Sequence, residues 1–378
     1  MSDTPRRWGP RGVRWVRWLA PALIAAVVGS AALVGGDEPR PLGKLARGTH
    51  ACPGGSRTRA LAVGAQVHPL WSDRRAYPRI DALLAAAGAQ WTRIDVGWND
   101  LEPERGQYSE ENVRAVRAVV DDANAKGLRV LVTFWATPRW ANGDRRSNTP
   151  PNDPQDYANA IAHLARRLSG RVAAWEIWNE PNVADFFSGS VDQYAALVRA
   201  SGRAIKRVDR DATVVLGGPS TNDDQWLDRL YRAGIRGSFD VVGAHPYPSP
   251  SDDPPTRADD GSRYRFSHLS AMRKVMVRNG DARRPIWITE VGWSTGEPSD
   301  PEPYERGVTP AMQAHMLTDT LKVVTACYPF VNVVIWYNAR DRADGSRRER
   351  GFGLLTRGLA KKPSYAALVA ASAGTRSG

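Results

Sequence analysis

The sequence predicts a (β/α)8 TIM barrel preceded by an N-terminal transmembrane or signal helix. Three observations carry this reading. Eight short, β-rich apolar runs recur along the chain, amphipathic helical patterns lie between them, and no phosphate-binding glycine loop follows the first run. Continuous apolar runs mark strands covered on both faces. Eight β/α units in about 310 residues fit a closed barrel. A doubly wound sheet is the alternative, but it would usually carry a glycine loop where VGAQVHPLW stands.

At the N-terminus, Arg6, Arg7, Arg11, Arg14 and Arg17 precede an uncharged run of 19 residues, Trp18 to Gly36. A helix of that length spans about 28 Å, close to a hydrocarbon core of about 30 Å. The arginines should stay cytoplasmic and the rest of the chain should be exported. Two outcomes stay open: a membrane anchor with the barrel domain outside, or a secreted protein whose signal is cleaved near Ser30-Ala31-Ala32. Residues 37–60 are rich in Gly, Pro and Arg and read as a linker. The barrel domain is expected over 61–371, with a frayed tail at 372–378.

The strands are expected at Leu61–His68, Trp91–Trp98, Leu128–Trp135, Val172–Asn179, Thr213–Gly218, Asp240–His245, Pro285–Trp293 and Asn332–Asn338. The helix after the first strand, YPRIDALLAAAG, stops at Gly88. The next, SEENVRAVRAVVDDANAKG, has Ser109 as N-cap, acids in its first turn and Gly127 past its end. DPQDYANAIAHLARRLSG and VDQYAALVRASGRAIKRV repeat the pattern.

The net charge of +12 does not indicate nucleic acid. Residues 1–60 carry +7 of it, and the remainder has no phosphate-tracking stripe. Two cysteines are too few for a disulfide scaffold or a four-thiolate zinc site. Cys52 and Cys327 each precede a strand, the first and the eighth, which are neighbours in a closed barrel. They are a candidate disulfide in an exported protein, and two separate buried thiols are the alternative.

In a barrel the chemistry sits where the strands end. Glu180 follows strand 4 in WEIWNEPN, and Glu290 lies in strand 7 in WITEVGW. Side-chain alternation puts Glu176, Trp178 and Glu180 on one face if the strand runs that far, and Ile288 with Glu290 on another. Strands 4 and 7 face each other across the mouth, so two carboxylates can approach one bond from opposite walls. Glycoside hydrolysis uses such a pair, one protonated and one ionised. Asn179 is placed to orient a sugar 2-hydroxyl, Arg93 to act as counter-charge for Glu290, and His245 and Tyr247 to hydrogen-bond a carboxylate. Fourteen tryptophans suit stacking on sugar C–H faces. Trp98, Trp135, Trp293 and Trp336, at or just after strand ends, are the candidates for substrate binding. Long loops at 140–153, 247–263 and 293–309 extend the expected cleft. His163, His268 and His315 show no metal-ligand spacing, and this chemistry requires no metal or organic cofactor.

The run WNDLEPERGQYSEENV after strand 2, NEPN after strand 4, HPYP after strand 6 and TEVGW on strand 7 resemble the clan A glycoside hydrolases. Within the clan the chain is similar to families 39 and 5, including bacterial exopolysaccharide hydrolases. The resemblance implies a retaining hydrolase acting on a polysaccharide or oligosaccharide. It implies Glu180 as acid/base, Glu290 as nucleophile and Asn179 beside the sugar, with Arg93, His245, Tyr247 and Trp336 in support. A transglycosylase on the same barrel, or a non-catalytic carbohydrate-binding barrel, are the alternative functions.

Overall fold

The computed structural model describes residues 60–376. Eight parallel strands close into a barrel in sequence order. They are β1 Ala62–Gln66, β2 Trp91–Gly97, β3 Arg129–Trp135, β4 Ala174–Ile177, β5 Thr213–Leu216, β6 Val241–Ala244, β7 Ile286–Val291 and β8 Val331–Trp336. Eight helices alternate with them: α1 Tyr77–Ala86, α2 Glu110–Ala125, α3 Pro154–Arg167, α4 Val191–Val208, α5 Asp224–Arg232, α6 Leu269–Arg278, α7 Pro310–Cys327 and α8 Pro363–Arg376. Ser109 caps α2 by accepting from the Asn112 amide at 3.1 Å. A reciprocal Ser190–Gln193 capping box starts α4. The last helix runs to Arg376, so residues 372–376 continue an element where a frayed tail was expected, and Ser372 is buried.

The run Trp18–Gly36, its flanking arginines and Cys52 lie outside the described residues. Among the described residues no helix is long and apolar enough to cross a membrane. Cys327, the last residue of α7, is disulfide-bonded.

Strand alternation sorts the side chains into two apolar layers. Trp91, Leu131, Ala174, Val215, Val241, Trp287, Val333 and Ile335 fill the barrel interior. Trp91 and Trp287 meet edge to face at 4.9 Å, and the Arg129 guanidinium lies 4.3 Å over the Trp91 ring. The outward positions, such as Ile94, Val132, Ile177 and Val334, pack under the helices. The interior changes from apolar to charged going up the strands, because the next inward positions are Gln66, Arg93, Thr133, Glu176 and Thr289.

Two local irregularities break the alternation, and both fall at the predicted acids. β4 stops at Ile177, and Trp178 and Glu180 adopt φ of 70° and 42°. Trp178 therefore turns outward, with its Nε1 donating to the Phe186 carbonyl at 2.9 Å. It does not share a face with Glu180. In β7, Ile288 pairs with Val334 and Val291 with Trp336, so β7 takes three steps where β8 takes two. This bulge separates Ile288, which packs in the outer shell, from Glu290, which points inward. The expectation that these two share a face is corrected by that extra residue.

Candidate active site

Helix side chains pin the strand ends that carry the site. The Tyr157 hydroxyl of α3 donates to the Phe134 carbonyl at 2.6 Å, and the Tyr194 hydroxyl of α4 donates to the Ile177 carbonyl at 2.7 Å. Glycine is required where backbone meets the site. A Cβ on Gly218 would stand 2.6 Å from the His245 ring and 2.9 Å from the Thr289 hydroxyl.

Arg93 is the hub. It is fully buried on β2 and every nitrogen of its guanidinium is used. Nε donates to Glu176 at 2.8 Å, Nη2 to Asn179 Oδ1 at 2.8 Å, and Nη1 to both Gln66 Oε1 at 2.8 Å and Glu290 Oε1. Burial works against this charge, but Glu176 and Glu290 outweigh it and raise the Arg93 pKa. Glu176 is buried too. Burial alone would raise its carboxyl, but Arg93, His245 and the Thr133 hydroxyl, which donates at 2.7 Å, hold it below the usual range.

Glu290 receives a second donor, the Tyr247 hydroxyl, on Oε2 at 3.1 Å. His245 is fully buried; its Nδ1 lies 3.1 Å from Glu180 Oε1 and 3.8 Å from Glu290 Oε2, and its Nε2 is 3.1 Å from Thr289 Oγ1. Burial disfavours the imidazolium, yet Glu290 and Glu180 together raise its pKa. Burial, opposed by His245 and Arg93 and reinforced by Glu180, raises the Glu290 carboxyl. One oxygen of Glu180, one of Glu290 and a ring nitrogen of His245 all lie within 4.8 Å of one another. The trio has the donor set of a cation site, but Glu290 already takes the Arg93 guanidinium, so a cation there would lie beside a fixed positive charge.

The structure thus gathers Glu180, Glu290, Asn179, Arg93, His245 and Tyr247 into one cluster. Trp135 is half-buried on the inward face of β3, 6.0 Å from Phe186. The other three tryptophans are placed differently. Trp98 is fully buried in the shell under α3, edge-on to Tyr157, and its Nε1 donates to Glu102 at 2.8 Å. Trp293 and Trp336 stack on each other at 5.9 Å in the same outer shell. Their Nε1 atoms donate to the Asp253 and Phe352 carbonyls. Each follows or ends a strand in the outward phase, so all three serve the packing and none lines the cleft.

Sequence reasoning missed Gln66, His68, Thr133, Thr289 and the inward role of Tyr337. His68 Nδ1 is 3.3 Å from Asp95 Oδ2, and its Nε2 has no hydrogen-bond partner among the described residues. Burial would raise Asp95, but His68 and Arg93 hold it below its ordinary value. Tyr337 stands edge-on to Tyr247, Phe352 and His68. A polar residue at an inward position of an otherwise apolar strand was the available signal for Gln66 and His68. Tyr337 follows Ile335 in the inward phase.

A model described as glycosyl hydrolases family 39 matches residues 138–373, more than half of the chain. A β-xylosidase of Caldicellulosiruptor saccharolyticus is 29% identical over 244 residues, covering 58% of this chain and 46% of that protein. Mannan endo-1,4-beta-mannosidase 2 of Oryza sativa subsp. japonica is 23% identical over 269 residues, covering 57% of this chain and 59% of that one. The chain thus spans roughly half the length of the curated relatives it matches. Among solved structures, a family 39 glycoside hydrolase from Bacteroides cellulosilyticus WH2 superposes with a TM-score of 0.67 at 24% identity, over 83% of this chain and 64% of that one. A GH5_18 protein from Streptomyces cattleya gives 0.65 at 22% identity, over 85% and 81%. These structural likenesses show a shared barrel, and the match over residues 138–373 shows more: the chain belongs to family 39 of the glycosyl hydrolases.

Proposed function

We propose that the protein is a retaining glycosidase that cleaves an O-glycosidic, β-linked bond in an oligo- or polysaccharide. The approach of Glu180 and Glu290 to within 4.8 Å carries the reading. Retaining pairs stand about 5–5.5 Å apart and inverting pairs about 6.5–9.5 Å. Both oxygens of Glu290 accept from donors, Arg93 and Tyr247, which favours the carboxylate there.

In the first step a Glu290 oxygen attacks the anomeric carbon. The glycosidic C–O bond breaks as Glu180 gives its proton to the leaving oxygen. In the second step Glu180 takes a proton from water, whose oxygen displaces Glu290, and the configuration is retained. Asn179 Oδ1 is occupied by Arg93, which leaves its amide N–H groups for a sugar hydroxyl. Tyr337 and Trp135 supply ring faces at the mouth. The names of the relatives make β-xylosides and β-mannosides the first substrates to try. The basic segment and the apolar run to Gly36 support export: if tethered, protease shaving of intact cells should remove the activity, and if secreted, the activity should be found in the medium.

The test is kinetic. Glu290→Gln and Glu180→Gln should each lower turnover of aryl β-xylosides or β-mannosides by about 10²- to 10⁴-fold with thermal melting unchanged. Azide should rescue Glu180→Ala and give a β-glycosyl azide of retained configuration. Normal turnover by Glu290→Gln would end the reading.

A further inference from the structure

Among the described residues Trp71 is the one exposed tryptophan, at 37%. Exposure alone says little about function. Its place says more, because the segment from β1 to α1 leaves the end of the barrel where the acid pair sits.

The turn that carries Trp71 is fixed. The amides of Trp71 and Asp73 donate to the His68 carbonyl at 3.1 and 3.0 Å, and Asp73 Oδ2 accepts from the His68 amide at 3.0 Å. Asp73 Oδ1 takes Arg340, from the segment after β8, at 2.9 Å. Leu70 packs against the outer core, and the next residue, Trp71, is turned to solvent. The indole is therefore presented on a pinned backbone, with its ordering cost already met before any ligand arrives.

A line of rings joins it to the acid pair. The Trp71 ring lies 6.2 Å from His68, His68 lies 5.9 Å from Tyr337, and Tyr337 lies 6.5 Å from Tyr247. Tyr247 in turn donates its hydroxyl to Glu290. Three ring-to-ring steps thus separate Trp71 from the phenol on Glu290, which puts the indole beyond the sugar that Glu290 attacks.

The barrel sets the direction of this line. β8 and β1 are neighbours, as are β3 and β4, and the two pairs stand across the ring from each other. Glu180 follows β4, and the rings on its side are Trp135, at the end of β3, and Phe186, 6.0 Å apart. In the proposed mechanism Glu180 protonates the leaving oxygen, so the leaving group lies toward β3 and β4. The glycan continuing from the attacked sugar then runs toward β8 and β1, where Trp71 stands.

We propose that Trp71 is a stacking platform for the sugar preceding the one attacked, so that the protein cuts within a glycan chain instead of clipping off its terminal sugar. A flat indole covers the C–H face of a pyranose and is rigid, with few torsions to freeze. The proposal rests on the hydrolase reading for the direction of the chain and deepens it by setting the length of glycan that is read.

The experiment compares substrates of two lengths on the full chain. The 4-nitrophenyl β-glycosides of xylose and of β-1,4-xylobiose form one pair, and those of mannose and β-1,4-mannobiose the other. In at least one pair nitrophenol release from the disaccharide should have a kcat/KM about tenfold or more above that from the monosaccharide, with the intact disaccharide as first product. Trp71→Ala should bring that ratio to within about twofold of one, chiefly through KM, and Trp71→Phe should keep part of it. A merely structural role would lower both substrates alike and leave the ratio standing. No length preference in either pair, absence of turnover included, overturns the platform, and so does a ratio untouched by Trp71→Ala. Failure of the hydrolase reading would show itself elsewhere, as full aryl-glycoside turnover by Glu290→Gln.

Discussion

Arg93 concentrates the energetics of the site in one side chain. Its charge balances Glu176, which has no access to water, and it fixes Asn179 and Glu290 at once. Arg93→Met should cost about 3–5 kcal/mol in denaturant unfolding, the range for stranding one buried charge. Pairing it with Glu176→Gln should recover part of that loss, which a double-mutant cycle will measure. Glu180 and Glu290 were legible because NEPN and TEVGW put acids of known spacing at the ends of facing strands. Arg93 was legible from alternation alone. Trp98, Trp293 and Trp336 were misread because an aromatic residue at a strand end looks the same whether it faces cleft or shell. Its side depends on the phase of a single residue.

At the scale of elements, the eight strands and the main helices were readable from period and caps, with Ser109 and Gly88 where the sequence placed them. The strand ends were not, because the positive φ values at Trp178 and Glu180 and the bulge in β7 are local departures that propensity does not record. The turn after β5 has no room to adjust. Gly218→Ala should push the His245 ring off its bonds to Glu180 and Thr289, lowering kcat by about tenfold or more with a smaller change in KM. Steady-state kinetics on an aryl glycoside read this directly. Tyr157→Phe, which removes the clamp on the end of β3, should cost about 1–2 kcal/mol in unfolding free energy.

For the whole molecule, one internal acid sets a pH dependence away from the site. Asp81 of α1 is 2% exposed and packs against Asp122 and Lys126 of α2 and its C-terminal turn. Burial and then the Asp122 charge push its pKa up to about 7 from 3.8. The folded state therefore binds more protons than the unfolded state between those values, so stability falls as pH rises from about 4 to about 7 and levels off above. Asp81→Asn should remove this slope and stabilise the protein above pH 7 by up to about 4 kcal/mol, with little effect near pH 4. Thermal melting of both proteins across that range checks the sign.

The Arg93 guanidinium reaches from its own strand to groups on β1, β4 and β7. Reactivity is thereby a property of the finished ring. A nascent chain released only a few residues past β4 would hold Glu180 without Glu290, and no partly wound sheet would bring the two together. On the proposed reading, the chain would stay chemically silent until its last strands dock.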